Sequence, residues 1–252
     1  MRSEFGAVLG LALLAGISTV GFARAEDASH TCDVPAHLLT SESPLPKVAA
    51  AAKNGEPLTI LVVGSRSSTI ASSEGSAYPA RLQAALKEKL PQVPIDLSVE
   101  LQTSKTAEDV AASLARLVEA KKPTLVIWQT GTVDAMRSVD PDDFRGAVDE
   151  GVAALQKAGT DVVLINLQYS PRTETMISAP PYLDNMRVVA QQHDVPLFDR
   201  FAIMHHWNDA GDFDLFSTSH GVELAKNVHG CLGRALAKFV IDAAHLGPPP
   251  QN

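Results

Sequence analysis

Leu58-Thr-Ile-Leu-Val-Val-Gly-Ser-Arg-Ser-Ser-Thr69 is an apolar run that stops at a glycine and a cluster of hydroxyls. Pro57 and Gly64 bracket Leu58–Val63, giving it the length and composition of a buried strand. In open parallel α/β sheets, functional groups collect in the crevice beyond the carboxyl ends of the strands. Ser65, Ser67, Ser68 and Thr69 fall at that place, on the turn toward the next helix.

The alternation continues outward from this strand. Helical spacing of Leu82, Ala85 and Leu86 predicts a helix over 78–90, and Ile95–Leu101 alternates as a strand does. A helix over 107–120, a buried strand over 124–128 and a helix over 144–158 follow. Next come a strand over 162–167 and a proline-rich loop, then a helix over 182–193. A short strand over 196–198 and a closing helix over 221–244 complete the pattern. Strand–helix alternation of this kind predicts an α/β fold, a parallel sheet covered on both faces in three layers. Residues 26–56 read as an extended amino-terminal arm with one short helix, 57–246 as one domain, and 247–252 as a disordered tail.

Residues 1–25 read as a cleaved signal peptide: Arg2, an apolar stretch from Phe5 to Ala23, and the small-x-small site Ala23-Arg24-Ala25. An uncleaved anchor is the alternative. The chain is then exported, to the periplasm or beyond, with no stable membrane span after cleavage. The formal charge is −8, and no basic cluster interleaved with aromatics appears, which excludes nucleic acid as an expected partner. Two cysteines, Cys32 and Cys231, in an oxidising compartment favour a disulfide over two buried thiols.

Several stretches carry a resemblance. They are Val63-Gly-Ser-Arg-Ser-Ser-Thr69, Ala77-Tyr-Pro-Ala-Arg-Leu82, Pro123–Asp134, Leu167-Gln-Tyr-Ser-Pro171, Arg200-Phe-Ala-Ile-Met204 and Gly230-Cys-Leu-Gly-Arg-Ala-Leu236. In this order they resemble the SGNH (GDSL-like) hydrolase superfamily, in a branch of exported bacterial members. The resemblance implies a flavodoxin-like α/β/α sandwich with five parallel strands. It also implies a serine nucleophile after the first strand, an oxyanion hole of backbone and asparagine donors, and a histidine base held by an aspartate.

Carried over residue by residue, each block departs from that pattern. Ungapped, Arg66 occupies the nucleophile position; a one-residue insertion places Ser67 there, and Ser65 is the other candidate. Ser104 stands at the glycine of the second block. Gly131 and Asp134 are kept in the third, but Val133 replaces the asparagine donor, a loss that typically costs ~10²–10³ in rate. In the last block His220 and Glu223 stand where aspartate and histidine belong. One reading is an abandoned site; the other is a swapped dyad in which Glu223 orients His220 as base. In the nucleophile seat, Arg66 would meet Glu223 as an ion pair or an anionic ligand.

Other residues have plainer readings. Met204-His-His-Trp207 is expected in a loop after the fifth strand, and no metal set or cofactor motif is read from the chain. His229, Trp128 and Tyr169 are expected to pack, with Gln129 at a strand end that could line a pocket. Two functions follow: a non-catalytic or weakly active envelope protein whose pocket binds an acylated glycan or another envelope ligand, or a secreted esterase using Ser67.

Overall fold

The computed structural model describes Met1, residues 32–216 and residues 221–247. The expected leader from residue 2 onward, His220 and residues 248–252 lie outside the described residues.

Five strands pair in parallel: β1 (Leu58–Gly64), β2 (Ile95–Leu101), β3 (Leu125–Gln129), β4 (Asp161–Ile165) and β5 (Leu197–Phe198). Their order is β2-β1-β3-β4-β5. That is the flavodoxin-like order, whose crevice opens where the strand order reverses, between the carboxyl ends of β1 and β3. Alternate residues of β1 feed opposite faces: Ile60 and Val62 enter one core, Leu61 and Val63 the other.

Three helices close the first face: α1 (Pro46–Asn54), α2 (Tyr78–Lys89) and α9 (Gly221–Ala243). The second face is closed by α3 (Ala107–Lys121), α5 (Pro141–Lys157) and α7 (Pro180–Gln192). α2 and α9 approach closely because residue 233 is glycine. A Cβ there would overlap Arg81 and lie 2.8 Å from the Leu82 amide nitrogen.

Three short helices follow β3, β4 and β5 at the carboxyl end of the sheet: α4 (Thr132–Met136), α6 (Pro171–Met176) and α8 (Arg200–Asp209). Two corrections to the sequence reading lie here. Met204–Trp207 is helical, because the Asp199 carboxylate accepts from the Ala202 amide (2.9 Å) and starts α8 directly after β5. The loop carrying Pro171 also contains a helix, started by Ser170, whose hydroxyl accepts from the Thr173 amide (3.1 Å).

The described part of the arm is tied down. Leu45 and Val48 are buried in the α2/α9 core. Trp207 Nε1 donates to the Asp33 carbonyl (2.8 Å), and the Leu45 amide donates to the Ala243 carbonyl (2.9 Å). Cys32 is disulfide-bonded to Cys231, with their Cα atoms 5.3 Å apart. Among the described residues, no helix is long and apolar enough to cross a membrane.

Candidate functional site

β1 ends at Gly64, and the chain turns through Ser65 into a single tight turn over Arg66–Ser68. The turn folds back so closely that a Cβ on Gly64 would overlap the Ser68 hydroxyl. This places Ser65, Ser67 and Ser68 against Gln129, the last residue of β3. The Gln129 side chain organises the cluster. Its Oε1 accepts from Ser68 Oγ (2.8 Å), Tyr78 Oη (3.1 Å) and an Arg200 guanidinium nitrogen (2.9 Å). Three donors at one oxygen fix the amide orientation, so Nε2 faces Ser65 Oγ (3.1 Å) and Ser67 Oγ (2.8 Å).

Arg200 is almost wholly buried, 1% exposed. One terminal nitrogen donates to Ser67 Oγ (3.2 Å) as well as to Gln129. The other donates to the Ser67 carbonyl (3.1 Å) and to Gln168 Oε1 (3.3 Å). Every one of these acceptors is neutral. Arg200 Nε has no partner among the described residues. The guanidinium also lies 5.7 Å from the Tyr78 ring centroid, within cation–π range. Burial draws its pKa down to about 10, opposed only by Tyr78. Tyr78 itself is pushed up by burial, so its phenol stays protonated and supplies no countercharge at neutral pH. His229 sits alongside: its Nδ1 accepts from the Tyr78 amide (3.0 Å), which requires an unprotonated Nδ1. Burial first, then Arg200, lowers its pKa to about 3.

The expected site residues form two groups that meet at Ser65. Ser65, Gly131, Val133 and Asp134 line one small pocket together with Lys105. Ser67 belongs to the Gln129–Arg200 cluster, with its hydroxyl 3.3 Å from that of Ser65. Gly131 has φ +94°, and Ser104 keeps a left-handed backbone (φ +59°) although it is not glycine. Asp134 is buried, and its Oδ1 accepts from the Ala107 amide (2.8 Å) at the start of α3. Burial pushes its pKa up, while backbone amides, Ala107's foremost, pull it down.

Two expectations are corrected. Arg66 is exposed and does not fill the nucleophile seat, because the tight turn points Ser68 inward and Arg66 outward. Glu223 faces solvent on the first turn of α9 and pairs with Lys226 (3.4 Å), so it forms no ion pair with Arg66. His220 lies outside the described residues. Trp128 is buried in the α3/α5 core, and Tyr169 packs edge-on against Phe201 and His205. Among the described residues, no group of three or more His, Cys, Asp or Glu could hold a metal ion.

Arg200, Tyr78 and Gln168 were missed as site residues by the sequence reading. The available signal was a polar Gln129 closing an otherwise apolar strand, which demands partners once buried.

A family model for non-GDSL lipase-like proteins matches residues 31–246. The chain belongs to the non-GDSL lipase-like family. Solved structures agree on the fold of this family member. A mutant of Axe2, an acetyl-xylooligosaccharide esterase from Geobacillus, superposes with TM-score 0.59 at 17% identity, covering 72% of this chain and 93% of the other. LAE5, an alpha/beta hydrolase enzyme from the Lake Arreo metagenome, gives 0.57 at 18% identity, covering 82% and 97%. TesA gives 0.53 at 20% identity, covering 72% and 99%. Among curated proteins, none matches. This member of the non-GDSL lipase-like family therefore has the same three-layer sandwich fold as those solved hydrolases.

Proposed function

We propose that this protein is an exported, non-catalytic or weakly active member of its family, which uses the crevice beyond β1 and β3 to bind an acylated glycan or another ligand of the cell envelope. The state of Ser67 supports the reading. Its oxygen accepts from the Arg200 guanidinium and the Gln129 amide, and among the described residues its only other hydroxyl contact is Ser65. A serine attacks through a lone pair while a base removes its proton. Here nitrogen donors occupy the oxygen, and a fixed cation beside it disfavours the imidazolium that a histidine base must become. Val133, at the expected oxyanion donor, offers no hydrogen bond. The apolar leader residues and the Cys32–Cys231 disulfide support export.

The second reading is a secreted carbohydrate or lipid esterase acting through Ser67 and His220. Membership of a lipase-like family favours it. Hydrolysis of p-nitrophenyl acetate separates the two. The expected result is a rate no higher for the native chain than for Ser67→Ala. Saturable turnover that disappears in Ser67→Ala establishes the esterase instead.

A further inference from the structure

Among the described residues, no acid pairs with the buried guanidinium of Arg200. The nearest carboxylate in sequence, Asp199, is committed elsewhere: it accepts from Asn166 Nδ2 (2.7 Å), the Ala202 amide (2.9 Å) and Arg187 (3.1 Å). Asp134, the acid lining the pocket beside Ser65, is turned to the Ala107 amide. Glu223 is paired with Lys226 at the surface. Arg200 is also the first residue of α8, where the helix dipole presents its positive end. A buried charge is ordinarily paired, because removing it from water costs several kcal/mol. The folded chain holds this one with neutral acceptors and leaves Nε without a partner among the described residues.

Gln129 Nε2 donates to both Ser65 Oγ and Ser67 Oγ, and Arg200 donates to Ser67 Oγ as well. The two hydroxyls are therefore held as acceptors, yet each also carries a proton. Their mutual contact of 3.3 Å can use only one of those protons. At least one O–H is therefore used by neither that contact nor the nitrogen donors, and is placed to meet an acceptor. Both serines are half-buried at the crevice, above a guanidinium that solvent does not reach.

We infer that Ser65 and Ser67 are the binding groups for one carboxylate of the ligand, with Arg200 acting through Gln129 and Ser67 to orient them and to supply the balancing positive charge. The inference rests on the binding reading above and gives the ligand its chemical class. Two hydroxyls side by side match an acceptor with two oxygens, and one guanidinium balances one carboxylate. A phosphate group, with a charge of roughly −1.5 to −2, exceeds the single buried guanidinium, and the other cation beside Ser65, Lys105, is exposed to solvent. A uronic sugar and a small free carboxylic acid share this chemistry.

Calorimetric titration of the intact, disulfide-bonded protein with glucuronate, glucose, acetate and phosphate at constant ionic strength tests the assignment. Glucuronate is expected to bind at least about tenfold more tightly than glucose, since hydrogen bonds to a charged group outweigh neutral ones. Acetate binding as well as glucuronate identifies the source as a small acid; glucuronate binding better identifies a uronic sugar. Arg200→Gln is expected to abolish the preference for glucuronate over glucose. Should Arg200→Gln not fold, the Ser65→Ala/Ser67→Ala double variant carries the test, with an expected loss of about tenfold or more in glucuronate affinity. Equal binding of glucose and glucuronate, a preference for phosphate, or an unchanged preference in the variants overturns the inference. Ester turnover that depends on Ser67 would remove the binding reading itself, and it is read in a separate assay.

Discussion

Two buried charges sit at opposite ends of the sheet, and the fold treats them differently. At the amino end, Asp161 opens β4, and its Oδ2 accepts from the Lys47 and Val48 amides (2.8 and 2.9 Å). Those amides belong to the first turn of α1, so the carboxylate meets two directed donors and the favourable end of a helix dipole. At the carboxyl end, Arg200 sits at the start of its own helix, where the dipole opposes it, and among the described residues its acceptors are all neutral. Asp161 is completed by the chain itself. Among the described residues Arg200 is completed only in part, and under the proposed binding reading the remainder is left for a ligand.

The largest effect should come from cutting the tether that brings α1 to Asp161. The disulfide closes a separation of 199 residues and fixes the arm that leads into α1. Cys32→Ser/Cys231→Ser is expected to cost roughly 2–5 kcal/mol, measured by denaturant unfolding. A loss of less than about 1 kcal/mol would mean that the buried arm holds α1 without the bond.

The next effect tests Asp161 directly. Asp161→Ala strands two amide donors at the head of α1 and is expected to cost about 1–3 kcal/mol, read as a lower chemical midpoint. An unchanged midpoint would end the contrast, because the amino-end charge would then be as dispensable as the other.

A pH series probes the carboxyl end through His229. Its folded pKa of about 3 lies below its ordinary 6.5, so the unfolded chain binds the proton first. Stability is therefore intact above pH 6.5 and declines as pH falls from there toward 3, by up to ~1.4 kcal/mol per unit. Asp134 and Asp161, raised by burial, act with the opposite sign and flatten the acid end of the curve. His229→Asn keeps an acceptor for the Tyr78 amide but cannot titrate, and its stability should fall less steeply below pH 6.5. An identical slope in variant and native protein would place the titration elsewhere.

The smallest stability change is expected from Arg200→Met. Removing an incompletely paired buried charge while filling its volume should alter unfolding free energy by no more than about 1–2 kcal/mol. Ligand binding should be lost over the same experiment. A loss as large as that of the disulfide variant would mark Arg200 as a structural charge after all.

Much of the architecture was legible locally. Leu82, Ala85 and Leu86 repeat at helical spacing, and they do face the core in α2. Leu58–Val63 reads as a strand buried on both faces, and only Thr59 in it is less than fully buried. Helix starts were less legible, because α5 begins at Pro141 on an Asp140 cap whose signal lies outside the apolar repeat. The site was legible only in outline. Ser67 was placed correctly at the carboxyl end of β1. Arg66 stays outside the nucleophile seat because a single tight turn decides which of four consecutive side chains enters the crevice.

Sequence alone determined the strand–helix alternation, because apolar periodicity is a local property, and it offered Cys32 and Cys231 as a pair because they are the chain's two cysteines. Tertiary structure alone decided that Ser67, Gln129 and Arg200 form one cluster. Arg200 follows Ser67 by 133 residues and meets it only because β1, β3, β4 and β5 run parallel and end at the same edge of one sheet. Whether a buried cation finds an acid depends on where every neighbouring carboxylate is turned. No local pattern encodes that, because Asp199, adjacent to Arg200 in the chain, points to Arg187 instead.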